Sequence, residues 1–335
     1  MKAARLHSPA PIETEPLKIE DVPAPEPGPK QIRIKVDFCG VCRTDLHVVE
    51  GELPPVKLPV IVGHQVVGRV EKVGDGVEGF KVGDAAGLPW LGWTCGECEF
   101  CKKGLENLCE RIKFFGYSLD GGYAEFVVAD ADFAYHLPEG IYGASAAPLL
   151  CGGVIGYRAY KLSEVRPGER LGLFGFGASA HLVLQIALHH NCEVFVFTRS
   201  AHHKELAKKL GAAWTGDATD DPKAELDSAI IFAPAGHLVV EALKKLKKGG
   251  CVAHAGVYSS PIPEFDYDLL YGERKIRSVA NSTREDVREL LKLAAEIPLA
   301  PTVELFPLDE ANAVLRRLKE SRHLASAVLE IGGGS

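Results

Sequence analysis

Methionine is almost missing from this chain of 335 residues: Met1 is the only one. Asparagine and glutamine are scarce, while proline is plentiful at 21. Thermolabile side chains are thus few and loop-stiffening residues many, a composition that resembles heat-adapted proteins. No apolar run approaches the roughly 20 residues a membrane span needs. The opening MKAARLHSPAPIETEP carries no apolar stretch of the kind a secretory signal requires, so the expected compartment is the cytoplasm. An excess of positive charge is also lacking. The formal net charge of −7 argues against nucleic acid or an anionic membrane as partner.

What the chain does have is cysteine, nine in all, at 39, 42, 95, 98, 101, 109, 151, 192 and 251. In a cytosolic chain, clustered cysteines point to metal rather than to disulfides, and the odd count agrees. Cys95, Cys98, Cys101 and Cys109 follow C-x2-C-x2-C-x7-C. Each two-residue gap lets two thiolates converge on one tetrahedral ion. Two-cluster ferredoxins share the first three positions, but their next cysteine comes after three residues and precedes proline. The seven-residue gap therefore favours zinc, and four protein ligands leave no open position, so this zinc is expected to be structural.

A second stretch, residues 39–64, reads CGVCRTDLHVVEGELPPVKLPVIVGH. It holds two candidate ligands, Cys42 and His64, and between them a cation, a hydroxyl, a carboxylate and a second imidazole: Arg43, Thr44, Asp45 and His47. A catalytic metal needs an open position, a route for a proton and groups that aim its ligands, and this stretch has candidates for each.

The length predicts two domains. Up to about residue 140 the pattern alternates as in half-buried strands, as in KQIRIKVDF and VVGRVEKV. From there a helical pattern begins, and apolar strands then alternate with amphipathic helices: RLGLFGF, ASAHLVLQIALHH, EVFVFT, AHHKELAKKLG, LDSAIIFAP, HLVVEALKKLKKGG and CVAHAGV. That order predicts an α/β fold with a doubly wound parallel sheet. REDVRELLKLAAE and DEANAVLRRLKES read as helices and ASAVLEI as a last strand. Within LGLFGFGASA, Gly175, Gly177 and Ala180 occupy the positions of a dinucleotide-binding turn. An acidic residue about 20 positions on is missing; Thr198, Arg199 and Ser200 end the second strand and Lys204 follows. A guanidinium with hydroxyls attracts a 2′-phosphate, so NADP(H) is favoured over NAD(H).

The order GVCRTDLH, GHQVVG, four-cysteine lobe, Cys151 and dinucleotide turn resembles the zinc-dependent alcohol dehydrogenases of the medium-chain dehydrogenase/reductase superfamily, over nearly the full chain. The resemblance implies a GroES-like β-rich catalytic domain, residues 1–150 and 281–335, carrying two zinc ions, and a Rossmann cofactor domain, residues 151–280. It implies Cys42, His64 and Cys151 as ligands of the catalytic zinc, with Asp45 accepting from the His64 ring and Arg43 facing the cofactor pyrophosphate. Thr44 and His47 match the family's proton relay. Zinc acidifies a bound alcohol, and a hydroxyl followed by an imidazole suits the released proton. Cys39 is read as a packed thiol, and Cys192 and Cys251 as core residues of Rossmann strands.

The chain departs from the family at several positions. Gln65 replaces the Glu that usually follows the catalytic His, which should make the zinc more electrophilic. Ile155 stands where Thr is frequent. Leu53 replaces a pocket Trp while Trp90 is kept, which leaves room for alcohols larger than ethanol. The expected reaction is reversible hydride transfer between a primary or secondary alcohol and its aldehyde or ketone. Polyol dehydrogenase is the nearest alternative, set back by Cys151 where those relatives often carry Glu. A zinc-free enone reductase would lack the three ligands, and a non-enzymatic zinc module would not explain the dinucleotide turn. The short connection from Cys109 to DGGYAEF is that of microbial relatives, so a homotetramer is expected, with a dimer as the alternative.

Overall fold

The computed structural model describes residues 1–297, 299, 301–320 and 326–332. The chain divides into two compact units, Met1–Cys151 with Ser282–Ser335, and Gly152–Asn281. Cys151 belongs with the first unit and Asn281 with the second.

The first unit is built on strand Gln31–Gly40, whose alternating apolar residues Ile32, Ile34 and Val36 are fully buried. Strand Val66–Val73 pairs with it antiparallel, from Ile32 opposite Val73 to Cys39 opposite Val66, and Phe126–Asp130 pairs with its opening half. On its other side lies Ser326–Glu330, with Leu329 opposite Cys39, and Val303–Pro307 runs parallel beyond that. The C-terminal segment therefore sits inside the main sheet of the first unit. A smaller sheet joins Leu17–Asp21, Lys2–Leu6 and Val60–Ile61. Helix Arg43–Glu50, which the sequence pattern did not mark, follows the central strand. Cys42 caps it: its thiol accepts from the Thr44 N–H at 3.2 Å, and the Asp45 carboxylate returns to the Cys42 N–H at 2.9 Å. Helix Arg284–Glu296 starts from the same reciprocal cap, made by Thr283 and Asp286.

The second unit is a parallel sheet in the order Trp214–Gly216, Glu193–Phe197, Arg170–Phe174, Leu226–Ile231, Leu246–His254, Lys275–Ser278. The order reverses at Arg170–Phe174. In doubly wound sheets a crevice forms there, beyond the carboxyl ends of the strands, and ligands bind in it. Phe174 and Phe197, from neighbouring strands, stack at 4.2 Å in its core. Two details differ from the sequence reading. The helix expected through KKLKK ends at Leu243, because Leu246 already pairs with Leu226 in the sheet. Cys192 lies one residue before strand Glu193–Phe197 rather than in it, although it is buried as expected. No helix among the described residues is long and apolar enough to cross a membrane.

Candidate active site and zinc centres

The cap that starts helix Arg43–Glu50 also places two members of a cluster that could hold a metal ion. Cys42 sits at the N-cap and Asp45 one turn in. His64, buried, follows the short strand Val60–Ile61, and Cys151 follows a 3-10 turn over Ala144–Leu150. The His64 Nε2 lies 3.4 Å from the thiols of both Cys42 and Cys151, and the two sulfurs are 3.9 Å apart. Zn–S bonds of about 2.3 Å and a Zn–N bond of about 2.05 Å at tetrahedral angles require S···N of about 3.6 Å and S···S of about 3.8 Å. The three ligand atoms match that triangle, and among the described residues no fourth Cys, His, Asp or Glu joins them.

Burial opposes charge on His64, but the adjacent Asp45 carboxylate and Cys42 thiolate hold its pKa well above the ordinary value. Asp45 accepts from His64 Nδ1 at 2.8 Å, which keeps a proton on Nδ1 and turns Nε2 toward the two thiols. Burial pushes the Asp45 carboxyl above its usual range. Its second oxygen accepts from the Cys42 N–H and, at 3.3 Å, from the Tyr123 hydroxyl. The Cys151 thiol donates to Cys42, which drives the Cys42 pKa far down and that of Cys151 far up. Without metal the pair therefore shares one proton, and a dication would displace it. Cys39 is fully buried and burial raises its pKa, as expected of a packed thiol.

Cys95, Cys98, Cys101 and Cys109 converge in the same way, with sulfur separations of 3.5 Å for Cys95–Cys109 and 3.9 Å for Cys95–Cys101. N–H groups of Cys98 and Glu97 lower Cys95 to about 6, while burial raises Cys101 to about 11. The lobe is tied down by a residue the sequence reading missed. Glu106, buried between the third and fourth cysteines, accepts the Arg284 backbone N–H at 2.8 Å and its guanidinium at 2.8–3.2 Å. That guanidinium also lies over the Phe133 ring.

Thr44 and His47 stand one turn apart on helix Arg43–Glu50, and exposed Arg43 opens it. His47 Nδ1 bonds Glu52, a partner the sequence reading also missed. Of the pocket candidates, Trp90 stacks on Phe114 at 4.1 Å and lies 6.0 Å from the His64 ring, and Leu53 is half-buried. Gln65 is buried beside His64 in the chain.

In the second unit Gly175 adopts φ 88°, and a Cβ there would come within 3.0 Å of the Ala233 nitrogen. Gly177 caps helix Ala178–His189, where an added Cβ would meet nothing within 4 Å, and Ala180 is fully buried. That is the bare helix N-terminus a pyrophosphate needs. Arg199 is exposed at the end of the next strand. The Thr198 and Ser200 hydroxyl oxygens accept from the N–H groups of Ser200 and His203, which leaves each O–H able to donate. Lys204, by contrast, is engaged with Asp217 at 2.9 Å.

Two family models match the chain, the alcohol dehydrogenase GroES-like domain over residues 28–139 and the zinc-binding dehydrogenase domain over 180–296. The probable alcohol dehydrogenase AdhA of Mycobacterium tuberculosis is 45% identical over 99% of this chain and 97% of its own. Among solved structures, a cinnamyl alcohol dehydrogenase from Sorghum bicolor superposes with a TM-score of 0.87 at 30% identity, covering 100% of this chain and 98% of that one. CAD from Helicobacter pylori, complexed with NADP(H), gives 0.87 at 26% identity over 98% and 97%.

Proposed function

The chain belongs to the zinc-type medium-chain alcohol dehydrogenases, and from that premise we propose a specific assignment of cofactor, substrate and site. It interconverts alcohols larger than ethanol and their aldehydes or ketones with NADP(H). Cys42, His64 and Cys151 hold the catalytic zinc, and the four-cysteine lobe holds a structural one. The observation that carries this is the ligand triangle, joined by no fourth Cys, His, Asp or Glu among the described residues, with the Asp45 carboxylate bonded to the His64 ring. When bound there, zinc supplies Lewis acidity to an alcohol oxygen. The chain's own residues do the rest. Asp45 aims His64, Thr44 and His47 move the proton, and Trp90 with Phe114 forms an aromatic wall that suits a bulky or aryl substituent. The Sorghum bicolor relative, named for an aromatic alcohol, agrees with that wall.

NADP(H) is favoured by exposed Arg199 and the two donor hydroxyls beside it, and the Helicobacter pylori relative is seen with that cofactor. The polyol reading is disfavoured because the third ligand is the Cys151 thiol. The test is NADPH and NADH formation from a panel of primary, secondary, aryl and polyhydric alcohols, with and without a chelator. Activity that ignores zinc removal, or a strong NAD preference that survives Arg199→Ala, overturns the corresponding part.

Assembly into a homotetramer, or a dimer, is supported by the sheet edge of the second unit. All four residues of Lys275–Ser278 are exposed, and Tyr267, Tyr271, Val257 and Ile262 nearby in sequence are exposed apolar groups. Exposed strand edges invite pairing with another chain. Light scattering at micromolar concentration tests this, and a stable monomer defeats it. With all nine cysteines unbridged, a reducing compartment, the cytoplasm, is the natural location.

A further inference from the structure

We infer that Glu52 is a positioning residue for proton transfer, setting the tautomer of His47; this rests on the reading of His47 as the relay base. Helix Arg43–Glu50 ends on Gly51 in the left-handed region, and the chain turns back so that the Leu53 N–H donates to the His47 carbonyl at 3.2 Å. That turn sets Glu52 against its own helix, where its carboxylate bonds the Nδ1 of His47. The Tyr117 hydroxyl donates to the Pro54 carbonyl at 2.5 Å and pins the loop just beyond. The His47 side chain is 15% exposed and that of Glu52 is 52% exposed, so the pair lies between the interior and solvent.

The chemistry of the contact leaves one arrangement. An ionised carboxylate only accepts, so the Nδ1 facing it carries the proton. The neutral ring then has its lone pair on Nε2, and that nitrogen is the one able to take a proton handed on by the Thr44 hydroxyl. In alcohol oxidation one proton arrives at Nε2 and one leaves from Nε2 to water, while the Nδ1–H···Glu52 bond persists throughout. Glu52 faces the developing imidazolium with a negative charge. In a Ser-His-Asp triad the carboxylate plays the same part, and its loss leaves the wrong tautomer.

Several other charged groups around this helix are committed elsewhere. Asp45 serves His64, and Glu50 takes the Ile12 N–H and Lys319. Of the elements packed on it, helix Ala311–Lys319 brings Arg316, Arg317 and Lys319, of which Arg317 pairs with Glu304 and Lys319 with Glu13 and Glu50. Turn Ile12–Thr14 brings Glu13. Arg43 stands one turn before His47.

The experiment uses the zinc-loaded full chain with 15N-labelled histidine, the His47 signals being assigned by their loss in His47→Gln. Long-range 1H–15N correlation spectra report which nitrogen of the neutral ring is protonated. Wild type is expected to show protonated Nδ1, and Glu52→Ala to lose that preference. The kcat for oxidation in Glu52→Ala is expected to fall on the order of tenfold or more near neutral pH, with KM for alcohol and cofactor little changed. The double variant His47→Gln/Glu52→Ala should be no slower than His47→Gln alone, since Glu52 acts only through the ring. A protonated Nε2 in wild type, an unchanged tautomer in Glu52→Ala, or additive losses in the double variant overturn the proposal. A normal kcat in His47→Gln sinks the relay reading itself, and the tautomer spectra then tell that failure apart from a failure of the Glu52 contact.

Discussion

Replacing Asp45 by Asn changes one buried atom and should weaken one zinc site of two. Asp45 is 1% exposed and accepts from three donors: the His64 ring at 2.8 Å, the Cys42 N–H at 2.9 Å and the Tyr123 hydroxyl at 3.3 Å. An amide of the same shape offers one acceptor oxygen. If that oxygen keeps His64, the amide NH2 faces the Cys42 N–H, and two buried donors oppose each other at a cost of about 1–3 kcal/mol. If the amide flips, its NH2 faces His64 Nδ1, which moves the ring proton to Nε2, the atom meant for the metal. Either outcome weakens the site. Loss of a group that orients a ligand typically costs 10–100-fold in metal affinity, or about 1.4–2.7 kcal/mol. The metal-free protein should behave differently. Burial raises the Asp45 pKa in the folded state, so its charge costs stability above that pKa, a cost absent at pH below the unfolded value. Near neutral pH the Asn variant escapes that cost, which offsets part of the lost hydrogen bonding. The assay is zinc release to a chromophoric chelator, with total zinc by mass spectrometry and urea unfolding of the metal-free form. The expected result is one tightly held zinc instead of two, activity partly restored by added zinc, and a smaller effect on the metal-free protein than on the zinc-bound one. Unaltered affinity at the weaker site would show that Asp45 does not aim His64.

Changing Cys95 and Cys98 together to Ala should remove one equivalent of zinc and lower thermal stability, with the second equivalent retained; loss of both, or of neither, contradicts two independent sites. Arg284→Ala leaves Glu106 buried without its cation, so unfolding free energy should drop by about 2–3 kcal/mol, below the range for fully buried pairs because the arginine is 29% exposed. The same variant should speed zinc loss from the four-cysteine lobe, and unchanged release kinetics would break that link. Zinc uptake by the metal-free lobe at pH 7.5 should liberate at least the Cys101 proton, whose pKa stands at about 11, and none from Cys95 at about 6. Apparent affinity should therefore weaken as pH falls across this range. Calorimetry in two buffers of different ionisation enthalpy reads the proton count, and zero contradicts the assignment.

Much of this site was legible in the sequence because its parts are close together there. The four lobe cysteines fall within fifteen residues, and Cys42, Thr44, Asp45 and His47 share one short helix. Cys151 was placed through the resemblance, and the structure brings it to Cys42 and His64. What stayed hidden depends on chain reversals and long separations. Glu106 and Arg284 lie 178 positions apart, and Tyr123 reaches Asp45 across 78. Neither has a local pattern. Glu52 is near His47 in sequence but beyond the helix end, so periodicity does not predict their contact; only the Gly51 reversal creates it. Lys204 pairs with Asp217, which comes from beyond its own helix and so has no local pattern either.

The strand Ser326–Glu330 lies beside Gln31–Gly40 in the main sheet of the first unit. During translation, the ribosome has delivered both candidate ligand clusters and all of the Gly152–Asn281 unit before that strand emerges. The second unit, continuous in sequence, can be complete while the first still exposes the closing end of its central strand, Phe38–Gly40, on the side where Phe126–Asp130 already covers the opening half. An unpaired apolar edge of that kind is a sticky surface on a nascent chain. The four-cysteine lobe closes over residues 95–109 and is available to zinc early, a local staple that holds part of the unit while it waits for its last strand.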